Sequence, residues 1–356
     1  MSVLLAEQPD AFVVCETPPD WVQVRLDKGM PTSKELTPEE KQAKAELRQK
    51  AFSKRLAQMM AGLIELENWL HDTLRQGLAV LEQQSYSYWK DISARMYDAK
   101  LGAIGKRLQA IPLLIGAGDK WPNQVLAELT SFYLLIRGLR KMEELPLNIQ
   151  QDLLTVAGVT TRKDDLFQYG QTVKDTWMVL GQTEGVEDKL NFRRTWLLGH
   201  ETKRYALVLD YAFGNAAYPA HYVLGSVFVG KVVFYPSNSP LRVAVKEKLV
   251  LDRHVKRIVG FPSFAEYLDF YAQNLAANPW QLAFPCSIES VRPFYEKGQL
   301  ILIDQEQQLI PTLVEETNLW KIVAISGGKP IHVFGEWTGE QLLPRSISID
   351  NRYTSL

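Results

Sequence analysis

The sequence predicts an α+β protein in which an N-terminal helical bundle is followed by a strand-rich, mainly antiparallel C-terminal domain with one or two helices. Two patterns support this fold class. Apolar residues recur at intervals of three and four in the first half, as in amphipathic helices, and alternate with polar residues in the second half, as in strands. Because the predicted strands follow one another without intervening helices, an antiparallel sheet or barrel is favoured over a doubly wound fold.

The length of 356 residues is more than one hydrophobic core usually supports, since single cores stop growing at roughly 250–300 residues. We expect an irregular N-terminal segment at residues 1–36, a helical domain at residues 37–165 and a strand-rich α+β domain at residues 166–356. The boundary between the two domains is expected between residues 157 and 175, where glycines interrupt the helical pattern.

The first helix is predicted to begin at Thr37, because Thr37 and Glu40 form a capping box and Pro38 suits the first helical position. We expect it to run to about Leu81. Its beginning is charged and rich in alanine, and its later part carries leucines at helical spacing. These are Leu63, Leu66, Leu70, Leu74 and Leu78. This pattern indicates a helix that is exposed early and packed late.

The same spacing predicts further helices at residues 89–97, 101–108, 125–139 and 147–156. Alternation predicts strands at residues 190–198, 205–211, 227–235, 241–245 and 300–303. Between these strands, the capping box of Ser263 and Glu266 indicates a helix that runs to about Leu275. Residues 320–325 and 331–337, joined by a Gly-Gly-Lys-Pro turn, are predicted to form a final hairpin.

Charge and cysteine content limit the class of protein. The net charge is -1, so the chain lacks the basic surplus that is typical of nucleic-acid-binding domains. Cys15 and Cys286 are isolated thiols outside any Cys-x-x-Cys motif, which fits a reducing compartment. No apolar run approaches the roughly 18 residues of a membrane span, and the N-terminus has no signal-peptide pattern. We therefore expect a cytoplasmic protein that does not enter a membrane.

The sequence contains no recognisable catalytic motif. The histidines are His71, His200, His221, His254 and His332. None belongs to a His-x-His or His-Glu-x-x-His pattern, and no Gly-x-Ser-x-Gly elbow is present. The Gly116 and Gly327–Gly328 loops lack the remaining residues of a dinucleotide or phosphate loop. We expect no catalytic residue, no bound cofactor and no metal ligand in this chain, and a non-enzymatic protein.

The charged stretch from Glu39 to Arg55 is the first candidate interaction site. Leu47 and Phe52 are its main large apolar residues. A solvated helix is the simpler interpretation of this stretch. The alternative is that the helix docks a protein partner, with Leu47 and Phe52 as anchors in a groove.

The predicted hairpin after residue 190 is the second candidate site. Arg194 shares an apolar face with Phe192 and Trp196. A buried arginine must form an ion pair, stack on an aromatic ring or meet a ligand, and the internal ion pair is the preferred interpretation. The hypothesis of a nucleic-acid-associated module rests on the same hairpin, since bases stack on aromatic rings and several basic residues lie near Trp196. These are Arg193, Arg194, Lys203 and Arg204.

Several stretches distributed along nearly the whole chain resemble the C-terminal region of bacterial SWIM zinc-finger family proteins. They are residues 4–12, 18–22, 61–70, 194–199, 278–280 and 326–337. The zinc finger that defines the family consists of a Cys-x-Cys and a Cys-x-His, and neither occurs in this sequence. The resemblance therefore implies a chain that begins after the finger or a finger-less paralogue, and zinc only where the finger is present.

Relatives in that family are often encoded near MoxR-type AAA ATPases and von Willebrand A-domain proteins, so the resemblance implies a protein partner of one of these kinds. Three functional hypotheses follow. The first is a non-enzymatic interaction or adaptor protein in an ATPase-linked assembly. The alternatives are a nucleic-acid-associated module and a hydrolase whose site is assembled from dispersed histidines and aspartates.

Overall fold

The computed structural model describes residues 38–187, 190–281 and 283–356. The predicted irregular segment, the cap Thr37 and Cys15 lie outside the described residues. The chain divides into two units between Ala57 and Gln58, and the second unit covers residues 58–356. The described part of the first unit is the beginning of a long helix, α1, which spans Pro38–Gln76.

Helices dominate the described chain up to residue 169. After α1 they are α2 Tyr86–Asp98, α3 Gly102–Leu114, α4 Trp121–Arg140, α5 Leu147–Val156 and α6 Lys163–Tyr169, with short 3-10 turns at Leu78–Gln83 and Met142–Glu144. The helices predicted from apolar spacing are thus present, and the one over residues 147–156 has the predicted bounds.

The leucine stripe of α1 supplies one wall of the bundle core. Leu63, Leu66 and Leu70 are at most 1% exposed and pack with residues of α2 to α5. Leu74, which belongs to the predicted stripe, is half exposed instead. The helix ends at Gln76 rather than near Leu81, because Gly77 adopts a φ of 85°, which lies in the left-handed region that a helix cannot include.

Two sheets make up the rest of the molecule. The strands are β1 Thr172–Glu187, β2 Leu190–Gly199, β3 Tyr205–Phe213, β4 Ser226–Phe234, β5 Arg242–His254, β6 Phe284–Glu296, β7 Gln299–Ile303, β8 Leu309–Pro311, β9 Ile331–Trp337, β10 Leu342–Ile349 and β11 Arg352–Ser355. Helix α7, Phe264–Ala277, lies between β5 and β6, and helix α8, Glu316–Ser326, between β8 and β9.

The first sheet closes into a barrel in the order β1-β2-β3-β5-β4. The long strand β1 pairs with β4 over residues 172–178 and with β2 over residues 177–187, and its pairing with β2 shifts register at a bulge between Val179 and Gly181. Trp177, Leu197 and Phe228 fill the barrel interior. The pairs are antiparallel except for β3 with β5, which are parallel and pair at only two positions.

The second sheet has six strands in the order β11-β10-β9-β6-β7-β8, and its named strands pair antiparallel. Helices α7 and α8 pack on one of its faces, where Tyr267 and Ile322 meet Leu302 in a common core. The predicted fold class is confirmed: a helical bundle is followed by a strand-rich, mainly antiparallel part that contains two helices.

The prediction of a strand at residues 320–325 is wrong, because these residues belong to helix α8. Leu319, Ile322 and Ser326 are its buried residues, and their spacing of three and four is helical. A run of six residues is too short to separate the two periods. Gly327, at φ 52°, ends α8 before the turn into β9.

Helices give way to strands between Tyr169 and Thr172, inside the interval predicted for a domain boundary. Both sides of this point lie within the unit of residues 58–356. The proposed limits at residues 37, 165 and 356 stay a prediction.

Candidate interaction surfaces

The first half of α1 exposes its side chains. Every residue from 46 to 54 is exposed, with Leu47 at 68% and Phe52 at 39%. Gln42 and Ser53 form hydrogen bonds within the helix, to Glu46 and to the carbonyl oxygen of Gln49. The anchors predicted from the sequence are therefore accessible, and their binding role stays a prediction.

Leu47 and Phe52 do not form a single stripe. At 3.6 residues per turn, five residues correspond to a rotation of about 140° around the helix axis. Residues on one face of a helix are three or four positions apart, whereas Leu47 and Phe52 are five apart. A groove that binds one narrow face of α1 would therefore contact only one of these two residues. A partner that uses both residues must therefore surround a broad arc of the helix.

The residues predicted in the hairpin of β2 and β3 lie on opposite sides of the barrel wall. Arg193 points into the barrel, where its side chain is 7% exposed, pairs with Asp210 at 3.2 Å and lies over the Tyr218 ring. Arg194 points outward, as alternation along a strand requires. Trp196 is fully buried.

The outward residues join the barrel to the second sheet through Glu336 of β9. Glu336 is 2% exposed and accepts hydrogen bonds from Arg194 Nη2 at 2.7 Å and from Trp196 Nε1 at 2.7 Å. Arg345 of β10 lies 3.9 Å from the same carboxylate. The predicted internal ion pair of Arg194 is therefore present, and its guanidinium also lies 5.5 Å from the Phe192 ring.

This arrangement corrects the picture of one basic, aromatic surface on the hairpin. Arg193 and Trp196 are packed in the interior, and the Trp196 ring has no exposed face on which a base could stack. Burial lowers the pKa of Arg345, Glu336 opposes that shift, and Arg194 adds to it. Glu336 faces two guanidinium groups, so the cluster holds the two sheets together rather than presenting a ligand surface.

A cleft of about 180 Å³ lies where α5 meets the strand-rich part. Asp152 of α5 accepts hydrogen bonds there from the Asn238 backbone N–H at 2.9 Å and from Asn278 Nδ2 at 3.0 Å. Burial raises the pKa of Asp152, and hydrogen bonds from Ser237 and Asn238 partly offset the rise. These donors belong to the loops that follow β4 and α7. The hydrogen bonds of Asp152 therefore connect the helical bundle to the strand-rich part.

The hypothesis of a dispersed hydrolase site gains no geometric support. His200 pairs with its exposed neighbour Glu201 at 2.9 Å, and the residues lining four surface clefts include no histidine. Across residues 38–187, 190–281 and 283–356, no group of three or more His, Cys, Asp or Glu side chains is placed to hold a metal ion. Cys286 is buried, and burial raises the pKa of its thiol well above the ordinary value.

None of the helices in the described part of the chain combines the length and apolarity needed to cross a membrane. This statement covers the helices from α1 to α8 as far as their residues are described.

Comparison with known proteins gives one match. Neither a curated protein nor a solved structure matches the chain. Residues 54–157 match the family model described as the SWIM-associated four-helix bundle domain. This segment runs from the later part of α1 to the end of α5, and it contains residues 61–70, on which the resemblance partly rests. The chain therefore carries a SWIM-associated four-helix bundle domain, as its resemblance to SWIM zinc-finger family proteins predicted.

Proposed function

We propose that this chain is a non-enzymatic interaction protein that binds a protein partner through the exposed first half of α1. The observation that carries the proposal is the exposure of Leu47 and Phe52 on a helix whose neighbouring side chains are exposed from residue 46 to residue 54. Apolar residues of this size on a helix are typical anchors for a partner's groove. Full burial of an exposed side chain of this size contributes roughly 1.5–3 kcal/mol, and the contribution of Phe52 is smaller because it is only 39% exposed.

The partner implied by the resemblance is a MoxR-type AAA ATPase or a von Willebrand A-domain protein, in the cytoplasm. The helix is suited to such a contact, because good helix formers such as Glu46, Arg48 and Gln49 lower the entropy that binding must offset. The chain would then act as an adaptor of an ATPase-linked assembly.

The experiment uses the full chain and the purified candidate partner from the same organism. We expect the double variant Leu47→Ala/Phe52→Ala to weaken binding at least tenfold in calorimetry, because both anchors are lost. Its melting temperature should stay close to that of the unaltered chain, since exposed side chains contribute little to stability. Separate single variants show whether the partner contacts one side of the helix or both.

A matched control is the pair Leu113→Ala/Tyr133→Ala, a leucine and an aromatic residue that are 80% and 39% exposed on α3 and α4. This pair should bind the partner with unchanged affinity. Unchanged binding by the Leu47/Phe52 variant would refute the docking role of α1. Cooperative unfolding of that variant at a much lower temperature would instead place the two residues in a core.

A further inference from the structure

The barrel has an incomplete seam between β3 and β5. These strands pair only at Leu207 with Arg242 and at Val208 with Val243. Beyond that point, β3 continues for five residues to Phe213 and β5 for eleven residues to His254, each paired in the described residues with its other neighbour only. Backbone N–H and C=O groups on an unpaired strand edge are a template for a further strand.

A cleft of about 350 Å³ follows this seam. Its walls are residues 208–210 of β3 and residues 242–246 and 248 of β5, and Tyr222 also lines it. The loop that contains Tyr222 is anchored to the barrel, because the Ala220 carbonyl accepts a hydrogen bond from Arg193 and the His221 carbonyl accepts one from Lys248. The cleft is therefore bounded by fixed elements.

The cleft is strongly basic. Lys163, Arg242, Lys246 and Lys248 line it, and its one carboxylate, Asp210, already pairs with Arg193. Within the described part of the chain, none of these four cations has a carboxylate oxygen within 4.0 Å. Four uncompensated positive charges around one groove attract an anionic ligand, and a partly enclosed groove strengthens the attraction.

Two of the four cations lie over aromatic rings of the cleft. Lys248 Nζ lies 4.2 Å from the centre of the Tyr222 ring, and the Arg242 guanidinium lies 4.5 Å from the centre of the Tyr235 ring. Both rings are thus covered by cations. Single-stranded nucleic acid binds by stacking bases on open aromatic faces, which the cleft lacks. An acidic peptide needs only the charges and the strand edges.

We propose that the seam between β3 and β5 binds an extended acidic segment of a partner protein, which adds to the barrel as a strand. Backbone hydrogen bonds to the open edges would supply affinity. Lys246 lies at a bulge of β5 and donates a hydrogen bond to the Phe167 carbonyl oxygen of α6. Lys248 instead lies over the Tyr222 and Phe228 rings, so the two cations line different walls of the cleft. Carboxylates on either side of the bound strand can then meet a cation, so the site favours an acidic segment.

The test is fluorescence anisotropy with the full chain and three labelled probes. The first is a ten-residue peptide of alternating glutamate and valine, the second has lysine in place of glutamate, and the third is a single-stranded oligothymidine. We expect the acidic peptide to bind, with an affinity that falls as salt is raised, and the lysine peptide not to bind. Proline at alternate positions of the acidic peptide should weaken its binding at least tenfold, because proline removes backbone donors.

The site is assigned by the double variant Lys163→Glu/Lys246→Glu, in which both altered side chains are exposed. It should reduce the affinity for the acidic peptide at least tenfold, with an unchanged melting temperature. Lys248→Gln should reduce the affinity less, and it also removes the hydrogen bond to the His221 carbonyl. Lys297→Glu is the control, since this lysine is 90% exposed on the turn between β6 and β7. Three results would each overturn the proposal. They are unchanged peptide binding by the double variant, equal binding of the peptide with and without proline, and tighter binding of the oligothymidine than of the acidic peptide. The Leu47→Ala/Phe52→Ala variant should bind the acidic peptide with unchanged affinity. The proposal for α1 and the proposal for the seam are therefore tested independently of each other.

Discussion

Replacement of Glu336 by alanine should destabilise the unit of residues 58–356 by about 3–5 kcal/mol, which is typical of breaking a buried ion pair from one side. The carboxylate is 2% exposed, pairs with Arg194 at 2.7 Å and accepts the indole N–H of Trp196. Its loss leaves Arg194 and Arg345 facing each other without a negative charge. The two partly buried guanidinium groups then repel each other, and only water can replace the carboxylate as their hydrogen-bond partner.

The backbone of β1 packs closely against the second sheet near Glu336, so neighbouring residues have little room to move into the space left by the substitution. A side chain at Gly181 would lie 2.7 Å from Phe334 and 2.9 Å from the Arg345 Cβ, so β1 and the second sheet approach closely. We expect the Glu336→Ala variant to show a lower melting temperature and an altered tryptophan fluorescence spectrum, because Trp196 loses its hydrogen-bond acceptor.

A surface ion pair provides the comparison. Glu247 pairs with Lys231 at 3.0 Å, and both side chains are well exposed. Glu247→Ala should change the unfolding free energy by less than about 1 kcal/mol, as is usual for exposed pairs. Equal effects of the two substitutions in urea unfolding would show that Glu336 does not hold the barrel and the second sheet together.

Asp175 should contribute about 2–3 kcal/mol to stability at neutral pH, through charge-assisted hydrogen bonds. Its carboxylate is buried and accepts bonds from the backbone N–H groups of Thr176, Glu201 and Thr202 and from the Thr202 hydroxyl, at 2.6–3.0 Å. These bonds fix the turn between β2 and β3. A side chain at Gly199 would lie 2.3 Å from the carboxylate, so only glycine fits there. In Asp175→Asn an NH2 group replaces one carboxylate oxygen. This group cannot accept the hydrogen bonds that the Thr202 N–H and hydroxyl donate to the carboxylate.

The contribution of Asp175 depends on pH. Burial raises the pKa of this carboxyl, but the hydrogen bonds from Thr202, Glu201 and Thr176 outweigh burial, so its pKa lies below the ordinary 3.8. A carboxyl whose pKa is lowered in the folded protein stabilises the fold above pH 3.8, and the stabilisation is lost as pH falls through the lowered pKa. The difference in unfolding free energy between the chain and Asp175→Asn should therefore be constant near neutrality and shrink below pH 3.8.

Asp164→Asn is the matched control for that measurement. Asp164 is 87% exposed and lies 3.8 Å from Arg162, so its replacement should change stability by less than about 0.5 kcal/mol at any of these pH values. A difference for Asp175→Asn that does not vary between pH 7 and pH 3 would contradict the assignment of a lowered pKa.

Helical periodicity was the most informative signal in the sequence. The helix predicted over residues 147–156 has the observed bounds of α5. The strand at residues 320–325 was wrongly predicted because this apolar run is too short to distinguish a helical period from a strand period. The strands β1, β6, β8, β10 and β11 were not individually predicted. Strands β8 and β11 have only three and four residues, and runs of consecutive buried residues in β1, β6 and β10 disturb simple alternation.

The candidate sites show why long-range partners could not be predicted. The apolar face of β2 identified Arg194 as a residue in need of a partner, but Glu336 is 142 residues away and has no local pattern that links it to Arg194. Burial of Arg193 and Trp196 likewise follows from closure of the barrel and from its contact with the second sheet. The basic seam was also missed, since Lys163 and Lys246 come from α6 and β5 and meet only in the folded protein.

Site-specific photo-cross-linking in living cells tests most directly whether α1 is the binding element. A photoreactive phenylalanine analogue is placed at position 47 or, as a control, at position 297, which is also exposed but lies far from α1 in the sequence. The proposed function predicts one defined adduct from position 47, identified as the partner by mass spectrometry, that disappears when Phe52 is also changed to alanine. An adduct from position 297 with none from position 47 would contradict it.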